Sequence, residues 1–383
     1  MADAPAVSRK PTPVTWYRSS LERDEMKRLL ERSDVRALAQ TLPHLALIAL
    51  TGAATCLTIL QPAWLFGAWN AWWLLAVIPL LMVHGFLCSF AINAVHELGH
   101  GTVFKTKWLN RLFEGVFAFI GWIHHEQFTV SHTRHHRYTL HYPDDQEVVL
   151  PTKWDRRNTI KGGGVFDWRI LKHYLNNFRH QWRVARGKAG FEGAWNEVLF
   201  PADQPELRRP MRRWAVVLLV GHASVLVGSI ALGWWPVPLV VSMSGSYGQA
   251  VQGLMNNTQH IGMMKDVPDA RLCCRTFTTY SLLQYFYWHM NFHIEHHMYA
   301  AVPCYRLSAL HRAIIDDLPA TPHGIFATWR EIDAIQAKQA ADPTYEECPV
   351  IPVCGQRPAI SVGAPQEKQT SVIKDGTIAA SAI

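Results

Sequence analysis

Two stretches of about fifty residues contain no charged side chain, and they restrict the fold more than any other feature of the chain. Residues 43–92 and residues 214–264 lack Asp, Glu, Lys and Arg. A helix needs roughly 20 apolar residues to cross a membrane, so each stretch has room for two spans and a tight turn. Gln61-Pro62 and residues 233–238, a Gly/Trp/Pro-rich run, mark the turns. The sequence therefore predicts two transmembrane helix hairpins, with spans at about 43–60, 71–93, 214–232 and 237–257.

Tryptophans cluster at both predicted turns. Trp side chains are enriched where the membrane meets water, so this clustering favours a membrane over the alternative, which is two buried hairpins of a soluble protein. Soluble cores also rarely run this far without a charge. The tryptophans are Trp64, Trp69, Trp72 and Trp73 at the first turn, and Trp234 and Trp235 at the second.

Two hairpins return the chain to the side on which it started, so the charged segments share one side of the membrane. Residues 93–213 carry 19 Lys/Arg and 12 Asp/Glu, whereas the short turns carry neither. The positive-inside rule places the charged side in the cytosol. We therefore expect a multi-pass integral membrane protein with both termini and its catalytic face cytosolic. The formal net charge of +7 follows from this bias and calls for no nucleic-acid partner.

The predicted fold is all-α, with a cytosolic helical cap on the two hairpins. Residues 1–42 form a cytosolic N-terminal segment without a signal peptide, and residues 43–320 form the membrane domain. Residues 321–383 form a cytosolic C-terminal segment that becomes a mobile tail from about Pro343. No second folded domain and no internal repeat beyond the two hairpins is predicted.

Three further segments are predicted to be helical or to lie on the membrane. Ser19 and Glu22 fit a capping box ahead of an amphipathic helix over roughly residues 20–41. The apolar run Leu112–Ile123 is too short to span and predicts an interfacial or re-entrant helix. Residues 166–200 mix aromatic and basic side chains, which is typical of a membrane-surface segment and equally of a solvated helix face.

Eight histidines fall into three five-residue clusters. Spacings of three and four place side chains on one face of a helix, so each cluster can direct two or three imidazoles at one point. Imidazole is the commonest metal ligand, and eight of them exceed what a single zinc needs. The sequence therefore predicts a site with more than one metal, with iron as the first hypothesis. The clusters are His-Glu-Leu-Gly-His at 96–100, His-Thr-Arg-His-His at 132–136 and His-Ile-Glu-His-His at 293–297.

The first cluster also fits a zinc protease. It satisfies the H-E-x-x-H pattern, in which Glu97 would act as general base, and it resembles the motif of intramembrane zinc metalloproteases. That family takes its third ligand from an Asp-Gly motif in a later span, but residues 214–264 contain no Asp. The protease hypothesis also leaves the second and third clusters unused. The seven cysteines form no CxxC pair, so neither a zinc finger nor a disulfide is predicted.

The three clusters together resemble the histidine boxes of the membrane fatty-acid desaturase and hydroxylase superfamily, over roughly residues 40–315. The resemblance implies two iron ions bound by the box histidines, with O2 as co-substrate. The family often adds a ninth histidine near the end of the last span, and His260 fits that place, with Asn256 as a water-mediated partner. The implied ligands are His96, His100, His132, His135, His136, His260, His293, His296 and His297.

The resemblance implies removal of hydrogen from an unactivated C–H bond of a fatty or lipid-linked acyl chain. The chain has no GxGxxG motif and no P-loop, so electrons are expected from a separate ferredoxin or cytochrome b5 type of protein. Desaturation is ranked first, and hydroxylation or desaturation of a small amphiphilic metabolite second. Because one residue fewer separates His96 from His100 than in stearoyl-type enzymes, an acyl-CoA substrate is in doubt.

Overall fold

The computed structural model describes residues 13–148, 150, 170–188, 190, 194–201 and 203–352. Within them, helices and turns account for the fold, and the β-structure amounts to two isolated bridges. The all-α prediction is confirmed for this part of the chain. In chain order the helices are α1 Arg23–Leu29, α2 Asp34–Leu60, α3 Ala63–Phe66, α4 Val77–Ser89, α5 Ala91–Gly99, α6 Lys107–Ile120, α7 His125–Tyr138, α8 Ile170–Ala185, α9 Ala194–Leu199, α10 Pro205–Ala231, α11 Val237–Val241, α12 Ala250–Asn256, α13 Ala270–Cys273, α14 Ser281–Phe286, α15 His293–Met298, α16 Leu307–Ile314 and α17 Ile325–Ala341.

Three helical segments are long and apolar enough to cross a membrane: Arg23–Leu60, Ala71–Gly99 and Pro205–Ala231. They contain the first three predicted spans. Apolar side chains on α10 point outward, with Val220 59% and Val227 67% exposed. Apolar side chains that face outward along a long helix are expected where lipid, and not water, surrounds the helix. These features indicate a membrane protein.

Residues 237–257, predicted as the fourth span, do not form one helix. α11 ends at Val241, a 3-10 turn covers Ser244–Ser246, and α12 begins only at Ala250. Gly248 between them has a φ of +72°, which is strained for any other residue and breaks the helical path. Hydropathy does not register such a break, because the residues that cause it are uncharged. The total of four spans stays a prediction.

Side chains of neighbouring helices bond the carbonyl groups freed by this break. A ring nitrogen of His84 lies 2.8 Å from the Val240 carbonyl oxygen, and the Trp122 indole donates to the Ser242 carbonyl. Non-helical backbone at membrane depth is tolerated where protein groups satisfy it. His84 thus has a structural role in packing the broken segment.

The N-terminal amphipathic helix predicted over residues 20–41 is split into α1 and α2. The predicted capping box is wrong. Glu22 is the residue before α1 and makes no side-chain cap, while Ser19 is buried and donates to Asp317 Oδ2 at 2.6 Å. Ser19 thus contacts a distant residue instead of capping the nearby helix. The local sequence pattern could not show this.

The segments predicted to form the cap are α6 to α9 and the residues that follow α12, and their position relative to a membrane stays a prediction. α6 covers most of the run Leu112–Ile123 and packs along α5. The predicted membrane-surface segment 166–200 is described only in part, as α8 and α9. Phe166 and Trp168, two of its aromatic residues, lie outside the described residues.

The C-terminal helix α17 packs on the turn that follows α12. The Trp329 indole donates to the Leu254 carbonyl at 3.0 Å, and Ile332 is buried against Ile261. Beyond α17, the amide of Glu347 donates to the Gly262 carbonyl at 2.8 Å. The tail predicted from Pro343 therefore does not begin there, and residues 353–383 lie outside the described residues.

Candidate metal centre

Three separate elements carry the three histidine clusters to one place. His96 lies in the last turn of α5, at the end of the candidate span Ala71–Gly99, and His100 follows that helix. α7 presents the second cluster from its last two turns, and α15 begins at His293. Because the spacings of three and four repeat on each element, the ligand nitrogens of all three converge.

Five imidazoles form a first group. The ring centroids of His96 and His132 are 4.1 Å apart, and Nε2 of His136 lies 2.9 Å from Nε2 of His132 and 3.1 Å from Nε2 of His296. All five ligand atoms lie within 4.8 Å of one another. Two nitrogens bound to one metal at about 2.1 Å can be at most about 4.2 Å apart, so the group is close to a coordination sphere. Its members are His96, His100, His132, His136 and His296.

A second group lies beside the first. Nε2 of His293 is 2.9 Å from Nε2 of His260 and 3.1 Å from Nε2 of His297. These three imidazoles and the thiol of Cys274 again have their ligand atoms within 4.8 Å of one another. The His135 ring is 5.1 Å from that of His260 and 5.0 Å from that of His297, centroid to centroid. All nine predicted ligands are thus brought together in two adjacent groups.

The tautomers of these rings fit two bound cations. His260 Nδ1 is 2.9 Å from the Cys273 carbonyl oxygen, which only accepts hydrogen bonds. Nδ1 must therefore carry the proton, and the Nε2 facing His293 holds a lone pair. In the first group, the buried Nε2 atoms of His96 and His100 have no hydrogen-bond partner among the described residues. Buried polar atoms need a partner, and a metal ion in the first group would supply it; in the second group, a metal ion would bind the His260 lone pair.

An acidic turn after α7 orients two of the histidines. His135 Nδ1 lies 2.8 Å from Asp145 Oδ2, and His132 Nδ1 lies 2.6 Å from Glu147 Oε1. Such carboxylate partners fix the ring orientation and leave Nε2 free for a metal. The neighbouring Asp144 instead pairs with Arg134 at 2.9 Å. The turn therefore orients two imidazoles and also forms an ion pair with α7.

The two glutamates inside the clusters, Glu97 and Glu295, are buried and contact other protein groups. Glu97 Oε1 lies 3.1 Å from Nδ1 of His96 and 3.3 Å from Nδ1 of His296, and its side chain is 1% exposed. Glu295 contacts His311 and accepts a hydrogen bond from Thr276 at 2.6 Å. A protease base must reach a metal-bound water and a substrate. Glu97 joins two clusters instead, which disfavours the zinc protease hypothesis.

Burial keeps most of the clustered imidazoles that lie outside the candidate spans in their neutral form. It lowers the pKa of His100 to about 4 and of His260 to about 3. Burial also lowers the pKa of His135, but the Asp145 carboxylate outweighs it, so that this pKa is raised. Neutral imidazole is the form that binds metals. Burial also lowers the pKa well below the ordinary value at His132, His136, His293, His296 and His297.

No sequence pattern indicated one residue that shapes the second group. Arg275 is buried, and its guanidinium donates to the Thr258 carbonyl and, at 3.0 Å, to the Ile261 carbonyl. These two carbonyls flank His260. An Arg that clamps a turn through backbone oxygens cannot be recognised from local spacing, because its partners lie 14 and 17 residues away.

Other polar residues near the clusters have structural partners. His124 contacts the Met211 carbonyl at 2.9 Å, and His125 contacts Glu114 at 3.1 Å. Asn256 accepts from Asn93 at 3.1 Å, so its predicted role as a water-mediated partner stays a prediction. Beside the first group is a cavity of about 10 Å³, room for roughly one water molecule.

One comparison with known proteins gives a match. The family model described as fatty acid desaturase matches residues 70–329, which is more than half of the chain and includes both histidine groups. No curated protein matches the sequence at a significant level.

Proposed function

Because the chain belongs to the fatty acid desaturase family, we propose that it is an O2-dependent membrane oxidoreductase that introduces a double bond into a fatty or lipid-linked acyl chain. The observation that carries the proposal is the pair of histidine groups. Each directs several buried imidazole nitrogens at one point, and the first group includes His96 at the end of the candidate membrane span Ala71–Gly99. An acyl chain in the membrane can reach a site at that depth.

Two iron ions are proposed as the metals. The first would be held by His96, His100, His132, His136 and His296, and the second by His135, His260, His293 and His297. When bound, such a pair of irons activates O2 for removal of hydrogen from an unactivated C–H bond. Imidazole-rich sites with few carboxylates suit iron, copper and zinc, and the family favours iron among these.

The protein's own residues prepare the site. Asp145 and Glu147 hold the second cluster with Nε2 toward the metals, and Glu97 ties the first cluster to the third. Burial around the groups excludes bulk water, which protects reactive species from side reactions. The electrons are proposed to come from a separate ferredoxin or cytochrome b5 type of protein that docks on the cytosolic face.

Product analysis in a host membrane tests the proposal. Cells that express the protein should accumulate an unsaturated acyl chain that control cells lack, measured by gas chromatography with mass spectrometry. His135→Ala should abolish the product, because it removes a proposed ligand. His141→Ala is the matched control: within the described residues this ring bonds the Thr139 carbonyl at 2.9 Å and packs edge-on against Trp16. It belongs to neither group of ligand atoms, so the product should persist. A hydroxylated product would show oxygen insertion instead, and full activity of His135→Ala would overturn the ligand assignment.

A further inference from the structure

The second histidine group contains a thiol to which the sequence assigned no role. Cys274 is fully buried, and its Sγ lies within 4.8 Å of the ligand nitrogens of His260, His293 and His297. The first group has five imidazoles and no comparable sulfur. The two groups therefore differ in chemistry as well as in the number of histidines.

The backbone on both sides holds Cys274 in this place. Its amide donates to the Ala270 carbonyl at 2.9 Å, and the amide of Arg275 donates to the Gln259 carbonyl at 2.8 Å. The second of these bonds joins the residue after Cys274 to the residue before His260. The Cys274 thiol is thus fixed beside the turn that carries His260, whose Nε2 holds a lone pair.

The distances suit a shared cation. A nitrogen ligand lies about 2.1 Å from the metal and a sulfur ligand about 2.3 Å, so sulfur and nitrogen bound to one ion are at most about 4.4 Å apart. The observed limit of 4.8 Å needs an adjustment of only a few tenths of an ångström. The Nε2 lone pair of His260 faces Nε2 of His293, 2.9 Å away, so at least one nitrogen ligand is already oriented for a cation at this point.

We propose that Cys274 supplies a thiolate ligand to the metal held by the second group; the proposal rests on the proposed metal centre. On binding, the S–H bond breaks, the proton leaves to solvent and a sulfur–metal bond forms, with no change of oxidation state. A thiolate is a softer ligand than imidazole and favours zinc and other soft or borderline metals. The second site should therefore bind such metals more tightly than the first.

Cys273 provides a matched control. It is also fully buried, and its Sγ lies 3.8 Å from that of Cys274, but it is not part of the group of ligand atoms. The two cysteines thus share chain position, burial and residue type. Their thiols differ in whether they reach the histidines, and the Cys273 carbonyl that holds His260 is backbone and is kept in Cys273→Ser.

X-ray absorption at the zinc edge tests the proposal on the full-length protein, purified in detergent and reconstituted with Zn²⁺. Sulfur at about 2.3 Å is distinguishable from nitrogen at about 2.0–2.1 Å. We expect one sulfur for every two zinc ions in the wild type and in Cys273→Ser, and none in Cys274→Ser. Circular dichroism establishes that the variants are folded, and the wild-type spectrum tests the proposal without any variant.

The outcomes separate this inference from the function on which it rests. Two bound zinc ions without sulfur in the wild type, or a sulfur signal that survives Cys274→Ser, would overturn the thiolate ligand and leave the histidine sites standing. A wild-type protein that binds no metal at all, or a His297→Ala variant that binds as much as the wild type, would overturn the metal centre itself.

Discussion

Hydrogen bonds to Nδ1 decide what the clustered histidines can do. A neutral imidazole that donates through Nδ1 has its lone pair on Nε2, and the acceptors here are Asp145, Glu147 and the Cys273 carbonyl. They come from two different loops. The metal-binding ability of the site therefore depends on residues that are not themselves ligands.

Asp145 should contribute more to metal affinity than the neighbouring Asp144. Asp145→Asn removes the charge that holds His135, and second-shell changes of this kind typically lower metal affinity about 10–100-fold. Asp144→Asn weakens the partly exposed ion pair with Arg134 and keeps the hydrogen bond from Arg134 to the Asp144 carbonyl, a change worth about 1 kcal/mol or less. Metal titration of both variants measures the difference. Equal affinities for the two would contradict the role given to Asp145.

Acid should destabilise the metal-free protein. The folded-state pKa values of His100, about 4, and His260, about 3, lie below the ordinary value of 6.5, so the unfolded chain binds protons more readily than the folded one. Their contribution to stability is complete above about pH 6.5 and is lost as the pH falls toward 4. The raised pKa of His135 acts in the opposite sense, as does the pKa of Glu147, which burial raises to about 7. The seven proposed ligand imidazoles with a lowered pKa outnumber these two groups.

Thermal unfolding of metal-free protein at pH 7.5 and pH 5.0 measures this effect. We expect a lower melting temperature at pH 5.0. In a His100→Gln variant, the melting temperatures at the two pH values should differ less than in the wild type, because the glutamine does not titrate. A melting temperature that is unchanged or higher at pH 5.0 would contradict the neutral state of the buried rings.

The convergence of the box histidines was predictable, but several of the residues that support them were not. Spacings of three and four identified the box histidines because ligands on one helix face repeat locally, and the family resemblance added His260. Arg275, Glu97 and Cys274 act through contacts with distant segments. A buried Arg, Glu or Cys has no local pattern that distinguishes it from other charged or packing residues, so the sequence could not identify them.

Among the elements, the segment between α11 and α12 departs most from the prediction. Gly248 has a φ of +72°, and a Cβ placed on it would lie 2.4 Å from the backbone carbon of Gly85 in α4. Two glycines thus allow the broken segment and a spanning helix to approach closely, as small residues do in membrane proteins. Hydropathy predicted the apolar stretch correctly and missed the break, since backbone conformation leaves no trace in hydropathy.

A methyl group at Gly248 should be far more harmful than one at Gly233. Both glycines have a similar positive φ, +72° and +75°, but nothing lies within 4 Å of a Cβ on Gly233. Both alanine variants carry the backbone strain of about 1–3 kcal/mol, and only Gly248→Ala adds overpacking of about 1–3 kcal/mol. Melting temperatures in detergent should therefore fall further for Gly248→Ala. A larger loss for Gly233→Ala would argue against the close approach to α4.

At the scale of the whole molecule, a candidate span leads directly into the site. The span Ala71–Gly99 ends at the first histidine cluster, and the exposed face of α10 is apolar. The charge-free stretches predicted this relation between membrane and site. They could not predict that α17, far along the chain, packs against the turn that carries His260.

The membrane placement has a direct test. Three long apolar helices should keep the protein in the membrane fraction after washing with alkaline carbonate, with release only by detergent. A peripheral protein, bound mainly through surface charges, would be removed by the same wash because charge interactions are weakened. Release into the wash would contradict the spans.

The most direct test of the whole account is metal content. Protein purified in detergent and supplied with iron should contain about two irons per chain by elemental analysis, and Mössbauer spectroscopy should show nitrogen-rich coordination. His135→Ala should lose one or both irons, whereas His141→Ala should keep them. One zinc per chain, bound through His96 and His100 alone and unaffected by His135→Ala, would contradict the two-metal centre and return the zinc protease hypothesis to first place.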